Sequence, residues 1–288
     1  TLPKAHVTDY AGDLPAAGAA TAMADPSLLQ PGADWPAYGG SESARRYSPI
    51  AQITPDNARQ LKRVWDIHTG DLPKSEFAQG KYGAETTPLK VGNSLYLCTP
   101  KNIMISLDPA TGKERWRYDP KVADDWIPYT AACRGVSYYE VPGIAATEAC
   151  ATRIIEGTLD GRLIALDAKT GKELWSQQTT DPSKPYSITG APRVVKGKVI
   201  IGNGGAEYGV RGFVSAYDAV SGKMVWRFYT VPGDPALPYE HPELREAAKT
   251  WKGDQWKLGG GTTWGWYSYD PATNLVYYGT GNPSTWNP

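Results

Sequence analysis

One ten-residue pattern returns three times in this chain and limits what it can fold into. The copies are Leu107-Asp-Pro-Ala-Thr-Gly-Lys-Glu-Arg-Trp116, Leu166-Asp-Ala-Lys-Thr-Gly-Lys-Glu-Leu-Trp175 and Tyr217-Asp-Ala-Val-Ser-Gly-Lys-Met-Val-Trp226. A fourth stretch, Tyr269-Asp-Pro-Ala-Thr-Asn-Leu-Val-Tyr-Tyr278, keeps the front half and lacks the Gly and the Trp. In each full copy a short apolar run enters Asp, whose carboxylate can accept from backbone two residues on and open a turn. Gly112, Gly171 and Gly222 stand where a short hairpin loop needs φ > 0. The pattern therefore predicts a hairpin whose second strand carries one Trp at a fixed offset. A lone hairpin cannot bury an indole, but stacked copies can, each Trp lying on the neighbouring unit.

The Trp spacings are 59 and 51 residues, the size of a four-stranded propeller blade. Roughly four such units are visible, and a closed ring of this type normally has more, so the repeats predict a partial ring. Composition agrees with an all-β chain: 11 Trp, 18 Tyr, 31 Gly and 24 Pro against 3 Phe. Helical periodicity is scarce, with one candidate over 240–251 and Pro242 near its start.

Residues 1–33 are rich in Ala, Gly and Pro and read as an extended arm or linker, with the propeller expected over 34–288. Thr54 and Pro55 resemble a helix start, and 60–67 reads as a strand. Strand pairs joined by Gly-containing turns are expected within 86–98, 153–166 and 192–217. The 30 basic and 30 acidic residues cancel, and no basic run points to nucleic acid. With no apolar run of membrane-spanning length and no signal peptide at Thr1, the chain reads as a mature or excised soluble segment. Cys133 and Cys150 flank a loop-like segment and are expected to pair in an oxidising compartment, with Cys98 a small buried hydrophobe. No Cys/His spacing suits zinc.

The repeated Asp-x-x-Thr/Ser-Gly-Lys-x-x-Trp units resemble the tryptophan-docking motifs of the quinoprotein dehydrogenases that use pyrroloquinoline quinone (PQQ), which are eight-bladed propellers of the periplasm. The likeness covers 34–288, about the first half of such a ring. Trp35-Pro-Ala-Tyr-Gly39, Arg46-Tyr-Ser-Pro49, Glu85-Thr-Thr-Pro88 and Cys133-Arg-Gly-Val-Ser-Tyr138 are similar to the membrane glucose and polyol dehydrogenase branch. From 188 onward, Gly204-Gly-Ala-Glu-Tyr-Gly-Val-Arg-Gly212, Gly259-Gly-Gly-Thr-Thr-Trp-Gly-Trp266 and Gly279-Thr-Gly-Asn-Pro283 are similar to the methanol and ethanol dehydrogenase branch.

The resemblance implies a site. Glu207 and Asn282 would be ligands of Ca²⁺ or a lanthanide, a hard cation that takes oxygen. Trp264 would stack on the PQQ face, and Glu85, Arg134, Thr158, Gly205, Ala206 and Thr262 would contact the cofactor. Arg134 can form a bidentate pair with a PQQ carboxylate. By themselves these residues have plainer readings: Glu207 a solvated loop carboxylate, Asn282 a turn former, Glu85 a strand-end charge, Arg134 a surface cation paired with Glu140. Trp264 and Trp266, two residues apart, share a face if they lie in a strand, and both can be core.

Two departures from the family pattern stand out. The alcohol branch carries adjacent cysteines shortly before the arginine matched by Arg134; here those positions are Pro128 and Tyr129. The family's general-base aspartate is expected beyond Pro288. The implied reaction is oxidation of a primary alcohol, polyol or sugar hydroxyl by hydride transfer to Ca-bound PQQ, with electrons passed to ubiquinone or a cytochrome c. The membrane branch implies an anchor or partner subunit outside this chain. A membrane-type glucose dehydrogenase is the alternative enzyme, and a non-enzymatic propeller scaffold the alternative of another class.

Overall fold

A computed structural model describes residues 32–284. Most of the expected N-terminal arm lies outside the described residues. The strands run in chain order as β1 (Tyr82–Gly83), β2 (Leu89–Val91), β3 (Ser94–Cys98), β4 (Met104–Leu107), β5 (Glu114–Tyr118), β6 (Ala131–Ala132), β7 (Ser137–Glu140), β8 (Thr152–Gly157), β9 (Arg162–Asp167), β10 (Glu173–Gln178), β11 (Arg193–Val195), β12 (Lys198–Gly202), β13 (Phe213–Asp218), β14 (Met224–Tyr229), β15 (Tyr267–Asp270) and β16 (Leu275–Tyr278). They form three antiparallel four-stranded meanders, β2-β3-β4-β5, β7-β8-β9-β10 and β11-β12-β13-β14. A two-stranded fourth unit, β15-β16, follows, and β1 and β6 pair in parallel.

The repeated turn works as its residues suggest. In the second copy Asp167 Oδ1 accepts from the backbone N–H of Lys169 and Thr170 and from the Thr170 hydroxyl. Asp108 and Asp218 do the same with Ala110 and Thr111, and with Val220 and Ser221. The Thr or Ser three residues after Asp is needed because its hydroxyl fills the same carboxylate oxygen. In the fourth unit Asn274 takes the left-handed position, with φ of 55°.

Each full copy also has a bulge that the pattern did not reveal. Ser106 pairs with Trp116 and Leu107 with Glu114, skipping one residue, and the same skip precedes Trp175 and Trp226. Such a bulge turns the strand and re-aims the side chain that follows. The indole of Trp116 reaches the next unit, where its N–H donates to the Ala168 carbonyl at 3.0 Å and its ring covers Gly171. Trp175 does likewise to Ala219 and Gly222. The first unit's Gly112 is covered by Trp65, an indole outside the repeat, whose N–H donates to the Pro109 carbonyl.

The cores lie between consecutive sheets. Leu89, Met104 and Trp116 of the first pack on Ile154, Ile164 and Leu166 of the second. Ile155, Leu163 and Ala165 pack on Val199, Ile201 and Tyr217 of the third. Being covered on both faces explains why β8 is buried along its whole length and why the middle of β9 is an apolar run rather than an alternation. Buried Arg193 locks the ends together: it donates to the carbonyls of Tyr38, Ser41 and Tyr267. Burial pushes its pKa down to about 10, partly opposed by Glu42.

Several local expectations change. Residues 60–67 form no ladder; Leu61 and Val64 are exposed, and the stretch contributes Trp65 as a single contact. Thr54 caps no helix; its N–H donates to Asn57, ahead of a three-residue 3-10 turn at Ala58–Gln60. The helix expected near 240–251 is present as α1 (Pro242–Ala248), with Pro at its start. The expected Cys133–Cys150 disulfide is not formed. Cys133 is bonded to Cys98, with Cα atoms 5.9 Å apart. Pairing follows three-dimensional approach: the end of β3 and the residue after β6 meet in the interior, whereas Cys150 is exposed and free.

Candidate cofactor site

Four segments carry most of the expected site residues and touch one another. The first is 204–209. Gly204 N–H donates to the Ser187 carbonyl at 2.7 Å. Gly205, with φ of 103°, opens a single 3-10 turn, Ala206–Tyr208. A Cβ at Gly205 would come 2.4 Å from the Pro185 carbonyl oxygen, so no other residue fits without a shift. The loop is pinned at its base by Asn203, fully buried, which accepts from Phe213 N–H and donates to the Gly204 carbonyl. Glu207 is exposed on this turn and has no hydrogen bond or ion pair among the described residues.

The second and third loops are 259–264 and 281–284. Gly261 N–H donates to the Asn282 carbonyl, and Gly281 N–H to the Thr262 carbonyl at 2.8 Å. Ser284 Oγ donates to the Ala206 carbonyl at 2.6 Å, which carries the Asn282 loop to the Glu207 loop. The Asn282 side-chain amide donates to the Pro283 carbonyl, leaving its oxygen as the remaining polar atom. A Cβ at Gly281 would lie 3.2 Å from Thr262 Oγ1 and 3.4 Å from the Trp264 indole nitrogen.

The fourth segment carries Arg134. Its backbone N–H donates to the Thr189 carbonyl, and its carbonyl accepts from Thr87. Its guanidinium pairs with Glu85 at 2.8 Å, donates to Thr189 Oγ1 at 2.5 Å, and lies 5.2 Å from the Trp264 ring centre. Glu140, the partner of the plainer reading, accepts from Tyr138 instead. Trp264 and Trp266 lie outside the strands and face different neighbours; Trp266 meets Tyr38 and Arg46. Trp264 remains 45 % exposed.

Contacts thus join Glu85, Arg134 and Trp264, and separately tie the loops of Ala206, Glu207, Thr262 and Asn282 to one another. Thr158 is buried and engaged in its own turn: its hydroxyl donates to Asp160 and accepts from Arg162 N–H. No hydrogen bond or ring contact joins it to the others among the described residues. Sequence reasoning missed Thr189, Asn203 and Ser284, whose roles are to hold neighbours; only their nearness to the quoted motifs hinted at them.

Next to Arg134 lies a buried cluster of Cys98, Cys133 and Glu156. Cys133 Sγ is 3.8 Å from Glu156 Oε2, and Oε1 has no partner among the described residues. Burial holds the Glu156 carboxyl protonated well above the usual carboxylate range, against a smaller opposing pull from Arg162. The spacing resembles a metal site, but two sulfurs joined to each other offer no thiolate ligands.

The sequence profile of the PQQ glucose/ethanol/alcohol dehydrogenase β-propeller domain matches residues 35–286. The chain belongs to this family. It is 58 % identical over 260 residues to quinohemoprotein alcohol dehydrogenase ADH IIB of Pseudomonas putida, covering 90 % of this chain and 35 % of that protein. The crystal structure of the related ADHIIG from Pseudomonas putida HK5 superposes with a TM-score of 0.78 at 44 % identity, over 90 % of this chain and 36 % of that one. A lanthanide-dependent methanol dehydrogenase of Methylacidiphilum fumariolicum is 41 % identical, over 90 % of this chain and 41 % of that protein. The chain spans about a third of the length of the first of these relatives. Among its described residues no helix is long and apolar enough to cross a membrane.

Proposed function

We propose that this chain is the cofactor-facing part of a periplasmic PQQ-dependent dehydrogenase that oxidises a small alcohol. Its sheets would be successive blades of an eight-bladed ring, with Trp116, Trp175 and Trp226 docking one blade to the next. The residues present fit PQQ and a hard cation. Thr262 Oγ1 is a buried hydroxyl with no partner among the described residues. Such a group costs about 1–3 kcal/mol unless a ligand satisfies it. Glu207 offers an uncommitted carboxylate and Asn282 an amide oxygen, oxygen donors of the kind that Ca²⁺ or a lanthanide takes.

PQQ, when bound, would supply the two-electron oxidant for the alcohol, and a cation held by Glu207 and Asn282 would supply Lewis-acid assistance. The chain's own residues bind and orient. Arg134, already braced by Glu85 and Thr189, presents a fixed guanidinium to a carboxylate. Trp264 offers a flat face, and Glu207 and Asn282 would supply a carboxylate and an amide oxygen to the cation. The alcohol reading over glucose is supported by the 58 % identity to a quinohemoprotein alcohol dehydrogenase, despite the glucose-branch look of the Cys133 motif. A cytochrome c is the proposed acceptor; one relative, from Thauera butanivorans, is described as 1-butanol dehydrogenase (cytochrome c).

The observation that carries this reading is Trp264, an indole left nearly half exposed against an ion-paired arginine. The test is titration of the intact protein with PQQ at fixed Ca²⁺, read by tryptophan fluorescence. Quenching that saturates, needs the cation and is lost in Glu207→Gln is expected. Absence of quenching in the intact wild-type protein would leave only the scaffold reading.

A further inference from the structure

The residue before Arg134 is one end of the Cys98–Cys133 bond. Cys98 closes β3, an inner strand of the first four-stranded sheet. Cys133 follows β6, whose ladder with β1 is two residues long. A sheet is therefore tied covalently to a strap, 131–135, whose ladder is only that short one, although Ala131 and Ala132 are buried. The two sulfurs are buried, yet both cysteines line a cavity of about 290 Å³ together with Glu85, Thr86 and Tyr82. The cavity joins the bond to the carboxylate that braces Arg134. The neutral Glu156 acid packed behind Cys133 adds no charge that would hold the strap in its place.

We propose that the Cys98–Cys133 bond is a positioning device for Arg134, and that its redox state sets how well the chain binds the carboxylates of PQQ. Oxidised, it holds the strap so that the guanidinium lies between Glu85, Thr189 and Trp264. Reduction by an external dithiol breaks the S–S bond, places a hydrogen on each sulfur and closes the dithiol to its own disulfide. The strap then keeps its short ladder, the packing of Ala131 and Ala132 and the two backbone hydrogen bonds of Arg134, but loses its covalent tie to β3, and the guanidinium loses its fixed direction. This rests on reading Arg134 as a partner of PQQ.

The test is a double-mutant cycle in the intact protein, crossing Cys98→Ser/Cys133→Ser with Arg134→Ala and measuring the PQQ dissociation constant by tryptophan fluorescence. The cysteine pair is expected to weaken PQQ about tenfold when Arg134 is present and less than about twofold when it is absent. A merely structural bond gives equal losses in both backgrounds, and that result overturns the proposal. Should the serine variant fail to fold, dithiothreitol reduction of the folded protein, followed by reoxidation, gives the same comparison reversibly. Hydrogen exchange at the Arg134 amide, read without cofactor, is expected to speed up on reduction; unchanged exchange also overturns it. If Arg134→Ala binds PQQ as wild type does, the cofactor reading of Arg134 falls and takes this inference with it. If Arg134→Ala is weak and the cysteine variant is not, only the positioning role falls.

Discussion

Ser284 donates its hydroxyl hydrogen to the carbonyl of Ala206 at 2.6 Å, across 78 positions of sequence. That bond places the loop of Asn282 beside the turn of Glu207. Neither residue of the pair is a proposed cation ligand, yet together they tie the loops that carry the two that are.

Ser284→Ala should therefore weaken cation binding without removing a ligand. Losing one such hydrogen bond costs about 1 kcal/mol, or about a fivefold loss of affinity. Terbium luminescence of the intact protein, titrated against the variant, measures it. Equal affinities would show that the loops hold their spacing without this bond.

Thr262→Val separates binding from stability. The hydroxyl has no partner among the described residues, so the cofactor-free protein should melt at the same temperature or higher. PQQ affinity should fall about five- to tenfold, the worth of about 1–1.5 kcal/mol. A lowered melting temperature with unchanged PQQ affinity reverses both halves of the prediction.

Glu156→Gln should change how stability depends on pH. The native state keeps a proton that the unfolded chain releases above its ordinary value of 4.5. The folded state thus binds more protons, and stability falls as pH rises from there toward the raised native pKa. The slope is about 1.4 kcal/mol per pH unit for one proton. Glutamine has no proton to lose, so the variant's melting temperature should gain on wild type between pH 5 and 8. A gap that stays constant over that range would falsify the neutral state assigned to Glu156.

Gly171→Ala should cost more than Gly80→Ala, although both glycines have similar positive φ, 72° and 75°. A Cβ at Gly171 would lie 2.7 Å from the Trp116 indole, whereas nothing lies within 4 Å at Gly80. Backbone strain of about 1–2 kcal/mol is common to both, and overpacking adds about 1–3 kcal/mol at Gly171 alone. Urea midpoints compare them; equal shifts would mean that the indole moves aside freely.

Much of the fold was legible because its information is local. An Asp, a hydroxyl three residues on, a glycine and an indole at fixed offset specify a turn whose closing hydrogen bonds, between Asp and the hydroxyl, the glycine and the lysine, span six residues. Repetition of that unit implies stacked sheets. The bulge before each Trp was not legible, since it shows only in the pairing register. Motif likeness named Glu85, Arg134, Trp264, Glu207 and Asn282, but not what holds them, because the side chains of Asn203 and Ser284 bind backbone groups that any residue carries, and Thr189 meets Arg134 only across 55 positions of sequence.

By itself, then, the sequence determined the all-β repeat and its hairpin turns, and its motif likeness supplied the residues proposed to meet a cofactor. Only the tertiary structure decided which cysteine meets Cys133, which carboxylate braces Arg134, which of Trp264 and Trp266 lies beside it, and that Glu156 is buried with one carboxyl oxygen lacking a partner among the described residues. The physical reason is range. Turns are fixed by contacts a few residues apart, whereas a disulfide across 35 residues or an ion pair across 49 depends on how separate sheets approach one another.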